Sequence, residues 1–307
     1  MIDRLDMFVA LARERHFGRA AAACGVTQPT LSAGLRALED QLGVQLVFRG
    51  SRFQGLTPEG ARVLDWALRI TADARAMREE MRAARHGLSG RLTIGVIPTA
   101  LPRIARLTAP FAARHPGVSL RILSATSAEI LSGLDDHRMD AGLTYLDNEP
   151  LGRVTTLPLY DEGYVLLTAA AGPLAGADRV DWAGLAGLPL CLLTSDMQNR
   201  RIVNQHLAAA GVGTEAALES NSVLALVAHV ATGAWVSVLP EALAELVTAP
   251  GTLRAIPLGG APAGHKVGLV VPARDPHTPV LEALIATARR IGTTDARREA
   301  PARHLAP

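Results

Sequence analysis

A short run of polar residues near the start of the chain has the composition of a nucleic-acid contact. The sequence Thr-Gln-Pro-Thr-Leu-Ser occupies residues 27–32 and opens a predicted helix. Gln28, Thr30 and Ser32 place short hydrogen-bonding groups near the N-terminus of that helix, where they can reach base edges and phosphate oxygens. The pattern therefore predicts a helix that enters a groove of DNA.

The same helix has a defined start and a buried side. Thr27 can accept a hydrogen bond from a free backbone N–H, and Pro29 lies in the first turn, where a missing donor costs little. Leu31, Leu35 and Leu38 repeat at helical spacing, which predicts a stripe that packs on the domain. Taken alone, these features fit an ordinary amphipathic helix with a good cap equally well.

The surrounding elements favour a winged helix-turn-helix. Residues 3–17 and 18–24 predict two preceding helices, and residues 25–26 predict the turn. Residues 49–55 combine arginine with glycine, which suits a wing, because Arg donates to phosphates and Gly permits tight turns. The expected contacts with double-stranded promoter DNA are Arg19, Thr27, Gln28, Pro29, Thr30, Ser32, Arg36, Arg49 and Arg52.

A long helix is predicted next, beginning at Pro58 after a capping Thr57 and ending near residue 85. At 1.5 Å per residue it spans roughly 40 Å. Its small and apolar residues recur at close to a seven-residue spacing, which is typical of a seam between two copies of a helix. The alternative is that this face packs on its own domain. The seam residues are Leu64, Ala67, Leu68, Thr71, Ala74, Met77, Arg78 and Met81.

Together these N-terminal motifs resemble the LysR-type transcriptional regulators. The resemblance extends from residue 1 to about residue 292 and implies a two-fold dimer, often within a homotetramer, that reads a dyad-symmetric site. One departure follows Ser32, where Ala33 and Gly34 replace a basic or polar pair, so that either the backbone approaches DNA closely or base readout is thinner. The matching motifs are Arg19-Ala20-Ala21, Thr27-Gln28-Pro29, Leu31-Ser32, Leu38-Glu39, Leu42-Gly43, Leu46-Val47-Phe48-Arg49 and Leu56-Thr57-Pro58-Glu59-Gly60.

The rest of the chain changes from helical to alternating patterns, and strands that alternate with helices predict a parallel sheet with right-handed crossovers. The resemblance implies an α/β effector-binding domain of two lobes, like that of periplasmic solute-binding proteins, with hinges near residues 159–160 and 263–265. The expected domains are the winged helix (1–57), the dimerising helix (58–87), the effector domain (88–292; lobe I 91–160 and 266–292, lobe II 161–265) and a disordered polar tail (293–307).

Four predicted loops are expected to line the cleft between the lobes, beyond the carboxyl ends of the strands. Helix N-termini there offer free N–H groups to an anion. Each hydroxyl is equally well explained as a helix cap, since Thr126 has capping-box spacing with Glu129. Ser195 has the same spacing with Gln198. The expected effector contacts are Thr99, Ala100, Ser124, Thr126, Ser127, Thr194, Ser195, Asn199, Asn221 and Ser222.

Residues 191–201 look similar to regulators found beside formate dehydrogenase genes. This similarity implies a small carboxylate effector, with formate as the first candidate. Asn199, Arg200 and Arg201 add possible donors, whereas Asp196 would repel an anion if it pointed into the cleft. Effector binding is expected to shift the equilibrium between lobe arrangements and thereby the DNA-bound form.

Composition restricts the remaining functions. Two cysteines, Cys24 and Cys191, are too few for a disulfide framework, and a peroxide sensor would need a resolving partner in the same domain. The nine histidines show no metal-ligand spacing, and neither a nucleophile elbow nor a P-loop occurs. We therefore expect no metal, no cofactor and no catalysis.

The expected partners are promoter DNA, the effector, further copies of the chain as homodimer or homotetramer, and RNA polymerase. No signal peptide is predicted at the N-terminus. No membrane span is predicted either, because the apolar residues 223–239 fit a helix, a turn and a strand. A cytoplasmic location is therefore expected. The net charge of +2 indicates no strong basic field. The alternative function is an exported-type solute-binding protein or a ligand sensor without DNA activity, which would fit residues 91–292 alone.

Overall fold

A computed structural model describes residues 1–48, 50, 52–248, 251–259, 264–273 and 276–299. Two compact units result, one beginning at Met1 and ending at Gly87, the other beginning at Leu88. Within the described residues, the helices of the smaller unit are α1 (Ile2–Glu14), α2 (Phe17–Ala23), α3 (Gln28–Leu42) and α4 (Pro58–His86).

Side-chain caps set the helix boundaries of the smaller unit. The Thr27 hydroxyl accepts from the Thr30 N–H at the start of α3, and Pro29 lies in the first turn, as predicted. Gly43 ends α3 in the left-handed region with φ of 70°, where glycine carries no Cβ penalty. Thr57 caps α4 by accepting from the Gly60 N–H at 2.9 Å, which also confirms the prediction.

The wing is joined at its base by one antiparallel bridge between Val47 and Leu56. The carboxylate of Glu39, on α3, accepts from the Leu46 N–H at 2.8 Å and so ties the wing to the helix. Gly60 lies so close to the wing that an added Cβ would overlap the Leu46 carbonyl. Arg49, which was expected to contact DNA, lies outside the described residues.

Packing explains the glycine inside α3. A Cβ added at Gly34 would lie 2.7 Å from the Met7 sulfur of α1, so the small residue permits close approach of the two helices. Gly34 therefore leaves room for the Met7 side chain of α1, a packing role that neither of the two explanations offered from the sequence had included.

The long helix α4 divides its apolar residues between two roles. Ala67 is buried in the core of the smaller unit, and Leu64 and Leu68 pack against that core, so this part of the predicted seam is wrong. Met77 and Met81, also expected in the seam, are exposed. Trp66 and Ile70 join them, and at 100° per residue the four side chains lie within about 60° of one helix face.

The larger unit alternates strands and helices. In chain order its elements are β1 (Gly90–Val96), a 3₁₀ turn (Pro98–Ala100), α5 (Leu101–Arg114), β2 (Val118–Ser124), α6 (Ser127–Asp135), β3 (Ala141–Tyr145), β4 (Val154–Glu162), β5 (Tyr164–Ala169), β6 (Val180–Asp181), a second 3₁₀ turn (Trp182–Leu185), β7 (Cys191–Leu193), α7 (Gln198–Ala209), β8 (Leu218–Ser220), α8 (Val223–Ala231), β9 (Ser237–Pro240), α9 (Glu241–Thr248), β10 (Leu253–Gly259), β11 (His265–Pro272) and α10 (Pro279–Glu299).

The two lobes each have their own sheet. Lobe I has the strand order β2-β1-β3-β11-β4, and lobe II has β6-β10-β5-β9 with a separate parallel pair β7-β8. The predicted parallel sheet is confirmed only in part, because β11 returns from lobe II and pairs antiparallel with both β3 and β4. Only β1 with its neighbours β2 and β3 follows the predicted parallel pattern in lobe I.

Five elements were not predicted, namely β4, β6, β8, α9 and β10, and two of these strands, β4 and β10, contain proline. Prolines interrupt both strands, at Pro158 and Pro257, and proline normally indicates a break or a sheet edge. β4 is indeed an edge strand, and Asp161 and Glu162 still pair with β11 in lobe I. The first crossing between lobes therefore lies at Gly163, a few residues beyond the predicted hinge at 159–160.

The C-terminal helix α10 continues past residue 292, where a disordered tail was expected, and ends at Glu299. Residues 300–307 and Ala263 of the second predicted hinge lie outside the described residues. The apolar stretch 223–239 forms α8 and part of β9, as predicted. No helix in the described chain combines the length and apolar character needed to cross a bilayer.

Candidate functional site

The exposed face of α3 carries the predicted base-reading groups. Gln28, Ser32 and Arg36 follow one another at four-residue spacing, which places them along one side of the helix, about 90° around the axis from the buried leucine stripe. Gln28 and Arg36 are exposed and Ser32 is half-buried. A ridge of amide, hydroxyl and guanidinium groups therefore runs along the helix away from its core.

Some of the other predicted DNA contacts already make hydrogen bonds within the smaller unit. The hydroxyls of Thr27 and Thr30 lie 2.8 Å apart and stabilise the first turn. Arg19 is exposed, but its guanidinium lies 3.3 Å from the Glu14 carboxylate and donates to the Glu14 carbonyl at 2.6 Å. Arg52 is an exposed residue of the wing. These residues remain predicted DNA contacts.

In the larger unit, two helix N-termini face each other across the lobes. The hydroxyl of Ser127, the first residue of α6, donates to the side-chain oxygen of Gln198, the first residue of α7, at 2.7 Å. Thr144 of β3 donates to Ser127 at 2.9 Å, and the Gln198 amide donates to the Asp147 carbonyl at 3.2 Å. Gln198 and Thr144 were not expected from the sequence.

Two predicted effector contacts carry buried hydroxyls without protein partners. Thr99 is 2% exposed, and its hydroxyl oxygen has no hydrogen-bond partner within the described chain. The hydroxyl oxygen of Thr194 is likewise buried and unpartnered there. Ala100, beside Thr99, is fully buried and contributes backbone only. Buried hydroxyls usually have partners, so these two can bind a polar ligand.

Among the remaining predicted effector contacts, some hydroxyls cap helices and others are exposed to solvent. Thr126 forms a complete capping box with Glu129, so the capping interpretation holds for that residue. It fails for Ser195, because α7 begins after Met197, which makes no side-chain cap. Ser222 caps α8 by accepting from the Ala225 N–H. Ser124, Ser195, Asn221 and Ser222 are exposed.

Asn199 lies in a buried network at the crossing between the lobes. Its amide donates to the hydroxyls of Tyr145 and Tyr164 at 3.0 and 3.3 Å. Tyr145 in turn bonds the carboxyl group of Glu162. Burial raises the pKa of Glu162 to about 7, although the Tyr145 hydroxyl and the charge of Arg103 oppose this rise. No local pattern in the sequence predicts this cluster, because its members come from distant segments.

The two arginines of α7 have different partners. Arg200 is 4% exposed and is held by the Leu193 carbonyl, the Thr214 carbonyl and the Glu219 carboxylate, so it is structural. Arg201 pairs with the Glu149 carboxylate at 2.6 and 2.8 Å and thereby links α7 of lobe II to the loop after β3 of lobe I. The Asp196 carbonyl accepts from Arg201, and Asp196 itself is exposed.

Two histidines meet beside this network. The Nε2 atoms of His206 and His265 lie 3.3 Å apart, and the His206 ring stacks on Trp182 with centroids 4.7 Å apart. Partial burial is the main cause of a lowered pKa at His206, and the nearby His265 lowers it further. The neutral form of His206 is therefore favoured. His265 Nδ1 is 3.4 Å from the Asp147 carboxylate, without the alignment of a hydrogen bond.

Both cysteines are held as thiols by their surroundings. Burial raises the pKa of Cys191 to about 11, and Cys191 lies inside the lobe II core. Burial also raises the pKa of Cys24, which packs against the core of the smaller unit. A thiolate is the reactive form of cysteine, so neither environment favours oxidation by peroxide.

Two family models match the chain. Residues 2–61 match the bacterial regulatory helix-turn-helix protein, lysR family, and residues 85–292 match the LysR substrate binding domain. The first match covers α1 to α3 and the wing, and the second covers both lobes.

Curated relatives and solved structures extend this similarity over most of the chain. A probable hydrogen peroxide-inducible genes activator of Mycobacterium avium is 35% identical over 88% of this chain and 87% of the relative. The DNA-binding transcriptional dual regulator OxyR of Escherichia coli K12 is 32% identical over 78% of each.

A full-length OxyR of Pseudomonas aeruginosa with a Cys-to-Asp substitution has a TM-score of 0.74 and 30% identity, and the match covers 94% of both chains. CbnR bound to its target DNA has the same fold, with a TM-score of 0.64 and 21% identity over 95% of this chain and 99% of CbnR.

Proposed function

The chain belongs to the LysR family of bacterial transcriptional regulators, and from this premise we propose that a short carboxylate bound between its two lobes controls its activity. It is a DNA-binding regulator with an effector-binding domain. The proposal rests on the meeting of the N-termini of α6 and α7 at the Ser127–Gln198 hydrogen bond of 2.7 Å. Two partially positive helix ends that face one cleft would stabilise an anion.

Unpartnered hydroxyls support the same location. Thr99 and Thr194 each carry a buried oxygen that has no partner in the described chain and can donate to an oxyanion. We assign Thr99, Ser127 and Thr194 as the main contacts. Ala100, Ser124, Thr126, Ser195, Asn221 and Ser222 stay predicted contacts, whereas Asn199 is reassigned to the buried network between the lobes.

Formate is the first effector to test, because residues 191–201 resemble regulators found beside formate dehydrogenase genes. Isothermal calorimetry with formate, acetate and longer carboxylates should detect binding to the wild-type chain. Ser127→Ala should weaken it by roughly 1 kcal/mol, about fivefold. The exposed Ser119→Ala on β2 is the matched control. Absence of binding by every carboxylate would exclude this effector class.

The names of the relatives raise hydrogen peroxide as a second signal, but the two thiols do not support it. Both cysteines have raised pKa values, so little thiolate is present near neutral pH. Mass spectrometry after peroxide treatment of the folded chain is expected to show slow, unselective oxidation. Rapid and selective oxidation of Cys24 or Cys191, with loss of DNA binding, would favour the peroxide signal instead.

On the DNA side, we propose that α3 enters the major groove and that α4 pairs with a second copy through Trp66, Ile70, Met77 and Met81. Four exposed apolar side chains on one face of a long helix support this seam. Sedimentation should show a homodimer or homotetramer that Met77→Lys weakens, with Arg82→Lys as control. A Met77→Lys chain that sediments like wild type would exclude this seam.

The regulator is proposed to act in the cytoplasm on promoter DNA, with RNA polymerase as a further partner and no catalytic step of its own. Effector binding would favour one arrangement of the lobes over another, and linkage requires DNA to alter effector affinity by the same factor. A ligand sensor without DNA activity is opposed by the helix-turn-helix match over residues 2–61. Effector titrations with and without promoter DNA would measure the coupling.

A further inference from the structure

A buried carboxylate lies where the chain first crosses between the lobes. Glu162 ends β4, is 3% exposed, and is separated from β5 by Gly163 alone. The second crossing passes beside it: His265 pairs with Glu162, and a Cβ added at Gly264 would lie 2.8 Å from the Glu162 carbonyl oxygen. A change at Glu162 therefore acts on both crossings.

Hydrogen bonds connect this carboxyl group to both lobes. Tyr145 of β3, in lobe I, bonds one carboxyl oxygen of Glu162. The Tyr145 hydroxyl lies 3.1 Å from the hydroxyl of Tyr164 on β5, in lobe II. Asn199 of α7 donates to both tyrosines. Four buried side chains from four elements thus form one continuous network across the hinge.

The second carboxyl oxygen has no such bond. Glu162 Oε1 is buried and lacks a hydrogen-bond partner among the described residues. Arg103 lies with its guanidinium carbon 4.3 Å from the ring centroid of Tyr160 and acts on Glu162 through its charge. The titratable and charged groups around Glu162 and its hydrogen-bonded tyrosines are Arg103 from α5, Tyr145 from β3, Asp147 from the loop after β3, Tyr160 from β4, Tyr164 from β5, His206 from α7, Glu241 from α9 beside Gly163, and His265 from β11.

The direction of the hydrogen bonds depends on one proton. When Glu162 is ionised, Tyr145 must donate to it, and Tyr164 can donate to Tyr145. When Glu162 is protonated on Oε2, it donates to Tyr145, and Tyr145 donates to Tyr164. Protonation therefore reverses a chain of hydrogen bonds that joins the lobes, and such chains polarise one another.

We propose that Glu162 is a proton-binding hinge group: uptake of one proton from water favours the lobe arrangement described here, and its release favours one in which the carboxylate reaches water or Arg103. An ionised carboxylate without an ion pair is costly in a buried site, which supplies the driving force. The pKa of about 7 places the transition near neutral pH. The inference goes beyond the effector proposal and holds whatever the cleft binds.

Hydrogen–deuterium exchange of the full-length chain, without ligand, tests the hinge from about pH 5.5 to 8.5, with rates corrected for their intrinsic pH dependence. Peptides covering residues 158–166 and 264–268 should exchange about tenfold faster above a midpoint near 7. Glu162→Gln, a neutral side chain of the same shape, should stay slow throughout. Glu149→Gln, which removes the carboxylate of the interlobe pair with Arg201, is the matched control and should keep the wild-type midpoint.

Arg103→Gln gives a second readout that does not depend on the folding of Glu162→Gln. The charge of Arg103 lowers the pKa of Glu162, so its removal should move the exchange midpoint upward by about one pH unit. Three results would overturn the proposal: a wild-type chain with no transition in this range, a transition retained in Glu162→Gln, or an Arg103→Gln midpoint that stays in place or falls.

Discussion

The DNA-reading helix and the interlobe cleft satisfy their polar groups in opposite ways. On α3, Gln28 and Arg36 are exposed on a helix that also carries a buried leucine stripe. In the larger unit, Ser127, Gln198 and Asn199 are buried and bonded across the lobes. Changes on α3 should therefore alter DNA binding alone, whereas changes between the lobes should alter stability and ligand response together.

The largest expected effect contrasts two neighbouring arginines. Arg200→Gln should lower the free energy of unfolding by about 2–4 kcal/mol, because it leaves the Leu193 and Thr214 carbonyls without their buried donor. Arg201→Gln, the adjacent change in a partly exposed pair, should cost less than about 1 kcal/mol. Urea denaturation measures the free energy of unfolding of both variants. Equal losses of stability would contradict the expected difference between a buried and a partly exposed arginine.

The next effect is a pH dependence of stability that arises at Glu162, between the lobes. The pKa of Glu162 rises from 4.5 to about 7 on folding, so the folded chain holds a proton that the unfolded chain releases. The stabilisation that comes from this proton is fully present below about pH 4.5 and is lost as the pH rises through about 7. The free energy of unfolding changes by roughly 3 kcal/mol over this range.

Denaturation of wild type and Glu162→Gln over this range should show the difference between them widening as the pH rises. A constant difference would mean that Glu162 titrates normally. Because the smaller unit lacks a buried carboxylate of this kind among its described residues, its DNA-binding helix should show no matching transition.

On α3, Gln28→Ala should weaken binding to a promoter fragment by about 1–3 kcal/mol while leaving the melting temperature unchanged, because the side chain is exposed. Arg121→Ala, on an exposed position of β2, is the charge-removing control outside the helix. Mobility-shift titration together with thermal denaturation measures both quantities. A stability loss equal to the binding loss would place Gln28 in the fold rather than in the interface.

The smallest expected effect separates a cap from a ligand contact. Thr126→Ala should cost about 1 kcal/mol of stability through loss of the α6 capping box, with little change in carboxylate affinity. Thr99→Val should do the reverse, since its hydroxyl has no protein partner in the described chain. Calorimetry and denaturation of the two variants decide this, and a Thr126→Ala chain with lost affinity but full stability would reverse the assignment.

The N-terminal unit was predictable because its signals are local. The Thr27 cap, Pro29 and the leucine spacing of α3 are properties of one short segment, and the structure confirms them. The seam predicted on α4 is wrong at its N-terminal part and stays a prediction at Met77 and Met81, because sequence spacing identifies an apolar stripe without saying which core covers it. Leu64, Ala67 and Leu68 pack on their own unit, while Met77 and Met81 stay exposed.

The sequence by itself determined the family, the alternation of strands with helices and the hydroxyl-rich loops at the strand ends, since periodicity, caps and turn residues act over a few positions. Only the tertiary structure decided the mixed sheets and the partnership of Ser127 with Gln198, seventy-one positions apart. It also placed Tyr145, Glu162, Tyr164 and Asn199 in one buried network. Burial and hydrogen bonding at these sites depend on how the chain crosses twice between the lobes, and no local pattern encodes that path.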